Sequence, residues 1–228
     1  MFYWDSTYFL VLIGAVICMI ASANVSRTFN KFSRVTNARR LTAEDVCATI
    51  LRLSGINDVR IERINGNLTD HYDPTKKVLR LSDSVYGQTS VAALGVAAHE
   101  CGHAIQHAQG YAPLKLRSLS VPVANFGSML SWPLILIGIL IGSVGLAQFG
   151  VLLFSFVVLF QLITLPVEFN ASRRAMTLLR DGHMLYGEEL DGARKVLSAA
   201  ALTYVAAVAS SLLQLLRLVL LTRRSNRN

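Results

Sequence analysis

Residues 118–167 read SLSVPVANFGSMLSWPLILIGILIGSVGLAQFGVLLFSFVVLFQLITLPV, fifty consecutive positions without an Asp, Glu, Lys or Arg. A water-soluble fold has no use for such a run. A bilayer-spanning helix takes roughly 20 apolar residues, so the stretch holds two spans and a tight turn and marks an integral membrane protein. Gly142, Ser143, Gly145, Gln148 and Gly150 interrupt the Leu/Ile/Val pattern and predict the turn there. The expected spans are 122–143 and 148–167, an antiparallel hairpin with Pro133 kinking its first member. Two crossings return the chain to its starting side. Residues 24–121 and 168–196 therefore face one compartment.

The rest of the composition agrees. The chain has 228 residues, 53% hydrophobic and 16% charged, against about 25% charged in average proteins. Disorder, collagen and disulfide scaffolds are excluded, the last because Cys18, Cys47 and Cys101 are too few and too scattered. The net charge of +8 sits beside apolar runs. Residues 24–121 carry thirteen Lys/Arg against eight Asp/Glu, with the excess mainly at Arg27, Lys31, Arg34, Arg39 and Arg40. Arg217, Arg223, Arg224 and Arg227 close the chain. Lipid headgroups and the positive-inside bias produce this placement, so the lipid bilayer is the expected partner and nucleic acid is not.

A first span is expected at 6–26. It is not a secretory signal, because MFYWDSTY lacks Lys and Arg, contains Asp5, and the basic residues follow the apolar run. That pattern predicts an uncleaved anchor with its N-terminus outside and residues 27–40 in the cytoplasm. The run 196–221 is a fourth membrane helix, rich in Ala and Ser for close packing. A full fourth crossing would place its terminal arginines outside, against the charge bias, so its direction is left open.

Residues 41–121 predict a small folded unit. Thr42 caps a helix reaching about Leu53, and 59–64 alternates as a strand. Asn65-Gly66 signals a turn, and 68–72 and 78–81 flank the Asp73-Pro74 turn. Residues 91–109 form a helix stopped by Gly110, with Pro113 beyond. Residues 168–195 are expected to form a further helix bearing Glu168. The fold class is an α-helical integral membrane protein with a small α+β cytoplasmic part, its motif helix lying next to a short β-hairpin or sheet.

That helix carries His99-Glu100-Cys101-Gly102-His103, the H-E-x-x-H pattern. Spacing i, i+4 puts both imidazoles on one helix face, where one metal ion can bridge them. Glu100 stands about 100° away around the helix, within reach of a metal-bound water as general base. Zinc with three protein ligands keeps its fourth position for such a water. The competing reading is two hydrogen-bonded histidines on a membrane-proximal helix. A metzincin would have Gly at 106 and His at 109, but both are Gln, which excludes that class. No acid occurs from Cys101 to Val167, so a nearby thermolysin-like glutamate is excluded as well. The first acid is Glu168. A carboxylate this close to an apolar span needs a partner: a metal ion, or alternatively Arg173 or Arg174. His107 drifts past the metal side, His71 and His183 lack partners at ligand spacing, and Cys101 reads as packing. Ser172, four residues after Glu168, can steady a ligand or be an ordinary helix serine.

HECGHAIQHAQGYAPLKLRS, LTDHYDP upstream, LPVEFNASRRA downstream and ALTYVAA near the end resemble the bacterial YugP family of neutral zinc metallopeptidases. The resemblance covers nearly the whole chain. Its layout is similar to the HtpX-like membrane gluzincins. It implies a gluzincin-like fold, one zinc ion per chain held by His99, His103 and Glu168, and Glu100 as the base. HtpX-like proteins usually carry Asp four residues after the ligand Glu, where this chain has Ser172. The substrate-bearing edge strand of that group maps by analogy onto 68–72, making Asp70, His71 and Tyr72 substrate-contact candidates, with Arg173 a further one beside the metal.

The expected activity is a zinc endopeptidase of the bacterial cytoplasmic membrane, its active site facing the cytoplasm, acting on peptide or membrane-protein substrates. The rival is a membrane scaffold or chaperone keeping a structural zinc. Structural sites usually use four ligands and more Cys, which disfavours it. Transport, which wants charged or broken spans, ranks last. A regulatory membrane partner and the oligomeric state are not written in the sequence.

Overall fold

A computed structural model describes residues 7–225; Asp5, Ser6 and Arg227 lie outside the described residues. The elements in order are α1 (Tyr8–Phe32), α2 (Ala43–Leu53), β1 (Arg60–Ile64), β2 (His71–Asp73), β3 (Val78–Ser82), α3 (Val91–Ala108), α4 (Ala112–Leu140), α5 (Val144–Asp181) and α6 (Gly187–Ser225). The helices Tyr8–Phe32, Ala112–Leu140, Val144–Asp181 and Gly187–Thr222 are long and apolar enough to cross a membrane. The chain divides into two compact units.

The first unit draws on Lys115–Leu165 and the described parts of Met1–Ser22 and Thr203–Asn228. Its outer surface is apolar, with Leu119 75% and Leu140 83% exposed, which suits lipid rather than water as the solvent. Ile135, Val151 and Leu218 form its inner cluster. The expected interruption over 142–150 is confined to Ile141–Ser143, and only Gly142, at φ +70, needs a glycine's backbone freedom. Gly145, Gln148 and Gly150 belong to α5. A Cβ on Gly150 would meet the Ser131 carbonyl oxygen at 2.8 Å, and one on Gly138 would meet the Ala147 nitrogen at 2.5 Å. Small residues here bring backbones together as in other membrane helix pairs. Of these residues Gly142 makes the turn and Gly150 belongs to the packing seam.

The second unit comprises Ala23–Leu114 and Pro166–Leu202. α2 opens with a capping box: Thr42 accepts from the Asp45 amide, and the Asp45 carboxylate accepts from the Thr42 amide. The sheet order is β1-β3-β2, with β1 parallel to β3 and β2 antiparallel to it. The Asp73-Pro74 turn therefore closes the β2–β3 hairpin. The Asn65-Gly66 turn only redirects the chain after β1, with the Gly66 amide donating to Asp83. Leu79 and Leu81 of β3, Val46 and Ile50 of α2, Leu94 and Ala97 of α3 and Leu179 of α5 make one buried core. α3 ends at Ala108, and Gly110 follows at φ +62.

The separate helix expected at 168–195 is not present. Residues 168–181 continue α5, and 187–195 open α6. Nothing after Val167 breaks the helix; Pro166 is accommodated within it. The break falls at 182–186, where His183 has φ +54 and Gly187 follows at φ +47. Glu168 thus rides on the helix that leaves the hairpin.

α3 meets this stretch of α5 at backbone distance. A Cβ on Gly102 would lie 2.6 Å from the Ala171 carbonyl oxygen. Gly102→Val should lower stability by about 1–3 kcal/mol through overpacking, read as a lower unfolding midpoint in detergent. Gly145→Ala, where a Cβ meets nothing within 4 Å, should leave the midpoint unchanged or raise it.

Candidate metal centre

Helical spacing on α3 turns His99 and His103 to the same side, their rings 4.7 Å apart and nearly perpendicular at 87°. The contact at Gly102 and Ala171 brings α5 alongside. Gly102 is flanked by His99 and His103 on its own helix, and Ala171 is flanked by Glu168 and Ser172. The Glu168 Oε2 lies 3.3 Å from His99 Nε2 and 3.7 Å from His103 Nε2, and one donor atom from each of the three residues falls within 4.8 Å of the others. Donors about 2.1 Å from one tetrahedral zinc ion stand about 3.4 Å apart. The two imidazole–carboxylate separations match that spacing, and two nitrogens with one carboxylate oxygen are a zinc donor set. Glu168 is only 3% exposed, so the cluster is largely shielded from water.

The far side of each ring is also engaged. His99 Nδ1 is 3.1 Å from Ser172 Oγ, and His103 Nδ1 is 3.0 Å from Gln106 Oε1. The Gln106 orientation is fixed by its other end, where Nε2 donates to the Val167 carbonyl at 2.8 Å and to Asn170 Oδ1 at 3.0 Å. A flipped amide would set oxygen against oxygen. Gln106 therefore accepts, His103 Nδ1 carries the hydrogen, and the Nε2 lone pair is left for a cation. Arg174 extends the chain, with Nε donating to Asn170 Oδ1 at 2.7 Å and Nη1 to Gln109 Oε1 at 2.7 Å. Burial pushes the His103 pKa down, but Glu168, Glu100 and Gln106 outweigh it, and the net direction is up. The carboxylates that draw a proton to this imidazole also attract a metal cation to the cluster.

Sequence reading used Gln106 and Gln109 only to exclude a metzincin and passed over Asn170. The available signal was an amide one turn after His103, and the structure buries it fully.

Glu100 adjoins His99 on α3 and is 8% exposed. Its carboxylate makes no hydrogen bond among the described residues. Asp70 bridges to β3, its carboxylate accepting from the Ser82 amide at 2.7 Å and the Ser82 hydroxyl at 2.8 Å. Burial raises its pKa, the two Ser82 bonds oppose that, Glu100 adds to the rise, and the net direction is up. Both His71 ring nitrogens are committed, Nδ1 donating to the Thr69 carbonyl at 2.9 Å and Nε2 accepting from Arg80 at 3.2 Å. The Tyr72 hydroxyl is 2.9 Å from His107 Nδ1, which draws His107 to the sheet edge and away from the metal cluster. Arg173 lines a cavity of about 370 Å³ with Phe169, Ser172, Met176 and Leu197. Cys101 is fully buried in the core, and His183 stacks on Tyr186. Neither joins the cluster.

No solved structure matches this chain. It is 46% identical over 213 residues, 93% of its own length and 95% of the relative's, to the "Putative membrane protease YugP" of Bacillus subtilis (strain 168). A family profile matches residues 7–223. With a match over nearly its whole length, and with two histidines and a glutamate gathered at zinc-binding distance, the chain belongs to the family described as "Putative neutral zinc metallopeptidase".

Proposed function

We propose that this protein is a zinc-dependent membrane endopeptidase of the gluzincin type, in which His99, His103 and Glu168 hold one zinc ion per chain and Glu100 is the general base. The observation that carries the reading is the convergence of His99 Nε2, His103 Nε2 and Glu168 Oε2 beside a buried, uncommitted carboxylate. Zinc bound there would acidify a water and polarise a peptide carbonyl. Glu100 takes the proton from the attacking water on its carboxylate and returns it to the leaving amine nitrogen. Ser172 and Gln106 hold each imidazole with Nε2 forward. Removing such outer hydrogen bonds typically costs 10–100-fold in metal affinity.

β2 is an edge strand, and no described strand pairs with its outer side. An extended peptide laid along that edge would pair with the backbone of 71–73, with Tyr72 and His107 beside it. The substrate is then a peptide or an extended segment of a membrane protein. The site faces the cytoplasm of a bacterial cell in this reading, supported by the basic residues Arg27, Lys31, Arg34, Arg39 and Arg40 that follow the first apolar run. The same two measurements, zinc content and cleavage, separate this reading from a scaffold with a structural zinc.

Glu100→Gln should keep full zinc content and lose cleavage of an unfolded protein substrate by about 10²–10⁴-fold; Glu168→Ala should lose both. Undiminished cleavage by Glu100→Gln would sink the assignment. Gln106→Leu should weaken zinc affinity about 10–100-fold in a chelator competition, and unchanged affinity removes it from the site. His71→Ala and Tyr72→Ala should alter KM at full zinc content, and unchanged turnover in both ends the edge-strand reading. A cysteine placed at exposed Arg52 in a background lacking the three native cysteines should react with an impermeant maleimide only after the cells are opened. Labelling of intact cells would reverse the orientation.

A further inference from the structure

A second cavity, which shares Arg194, Ser198 and Leu202 with the one lined by Arg173, lies where the last turns of α1 meet the early turns of α6. It has a volume of about 450 Å³ and is walled by Arg27, Lys31, Arg194 and Lys195, with Thr28 and Ser198 among its other lining residues and no Asp or Glu. Arg27 and Lys31 are four residues apart on one face of α1, as Arg194 and Ser198 are on α6. Arg194 is partly neutralised by Asp191, 2.8 Å away, and Lys31 sits 5.5 Å from the centre of the Phe32 ring. Arg27 and Lys195 form no ion pair among the described residues. Uncompensated like charges held around one hollow repel each other, and an anion entering it removes that cost.

The placement says which anion. On α1 the uncharged run from Tyr8 ends at Ser26, and on α6 the uncharged run 196–216 begins one residue after Lys195. The walls are formed where both membrane-length helices pass from apolar to basic, which is the level of the lipid headgroups. Apolar atoms of Phe32, Ala199 and Leu202 complete the lining, as a group joined to acyl chains requires. Hydroxyls of Thr28 and Ser198 supply neutral donors for ester oxygens.

We propose that this cavity is a binding site for the phosphate of an anionic phospholipid headgroup. The proposal does not rest on the peptidase reading.

The test uses the full chain in neutral detergent, titrated with phosphatidylglycerol and with phosphatidylcholine of the same acyl chains and followed by native mass spectrometry. Phosphatidylglycerol should bind at least about tenfold more tightly, as expected for several cations at a headgroup. The variant Arg27→Gln/Lys31→Gln/Lys195→Gln should lose that preference while keeping the parent's zinc content and unfolding midpoint. The variant Arg52→Gln/Arg60→Gln/Lys76→Gln, with the same change in net charge, should keep the preference. If the first triple variant misfolds, Lys195→Glu alone should still lower it. Equal affinity for the two lipids, or a preference that survives the cavity variants, overturns the proposal. Displacement of phosphatidylglycerol by millimolar inorganic phosphate or glycerol phosphate overturns the lipid assignment in favour of a free phosphate ester.

Discussion

The place where α3 touches α5 allows no side chain. Gly102 presents only a hydrogen towards the Ala171 carbonyl oxygen, and a Cβ there would stand 2.6 Å from it. Because the two backbones meet at that point, the residues on either side of it are forced face to face. His99 and His103 flank the glycine; Glu168 and Ser172 flank the alanine. The carboxylate then falls between the two Nε2 atoms, and the serine hydroxyl falls against the back of His99. Helix spacing aligns each pair within its own helix, but only this contact aligns one pair with the other.

A buried polar chain supports the same arrangement from the other side. Gln106 is fully buried on α3. Such an amide is costly unless every donor and acceptor is used. Its oxygen takes the His103 hydrogen, and its nitrogen reaches the Val167 carbonyl and Asn170. Asn170 is held in turn by Arg174. The network links α3 to the segment of α5 that carries Glu168, so the groups that orient His103 also hold the helix bearing the third donor.

Much of this was legible in the sequence. Amphipathic and alternating periods located α2, β1, β3 and α3 to within a residue or two, because caps, turns and side-chain period act locally. The uncharged run identified two membrane-length helices and led to Glu168 by eliminating every nearer acid. The errors came where one residue type serves two purposes. Gly145 and Gly150 carry a loop former's chemistry, yet both lie inside α5, where Gly150 lets another helix approach and Gly145 faces open space. The span expected to end at 167 instead continues as one helix to Asp181. Gln106 entered only as a residue that is not glycine, since nothing local marks a buried amide whose partners lie sixty residues away.

What the sequence determined alone was therefore chemical and one-dimensional: the apolar lengths that require a membrane, the i, i+4 histidines with their adjoining glutamate, and the basic residues bracketing the spans. Those features depend on composition and on a fixed helical repeat. The tertiary structure decided which carboxylate faces the histidines, which nitrogen of His103 is left free, and which four cations surround one hollow. Each of these depends on the distance between elements remote in the chain, and between α3 and α5 that distance is set by the absence of a Cβ at Gly102.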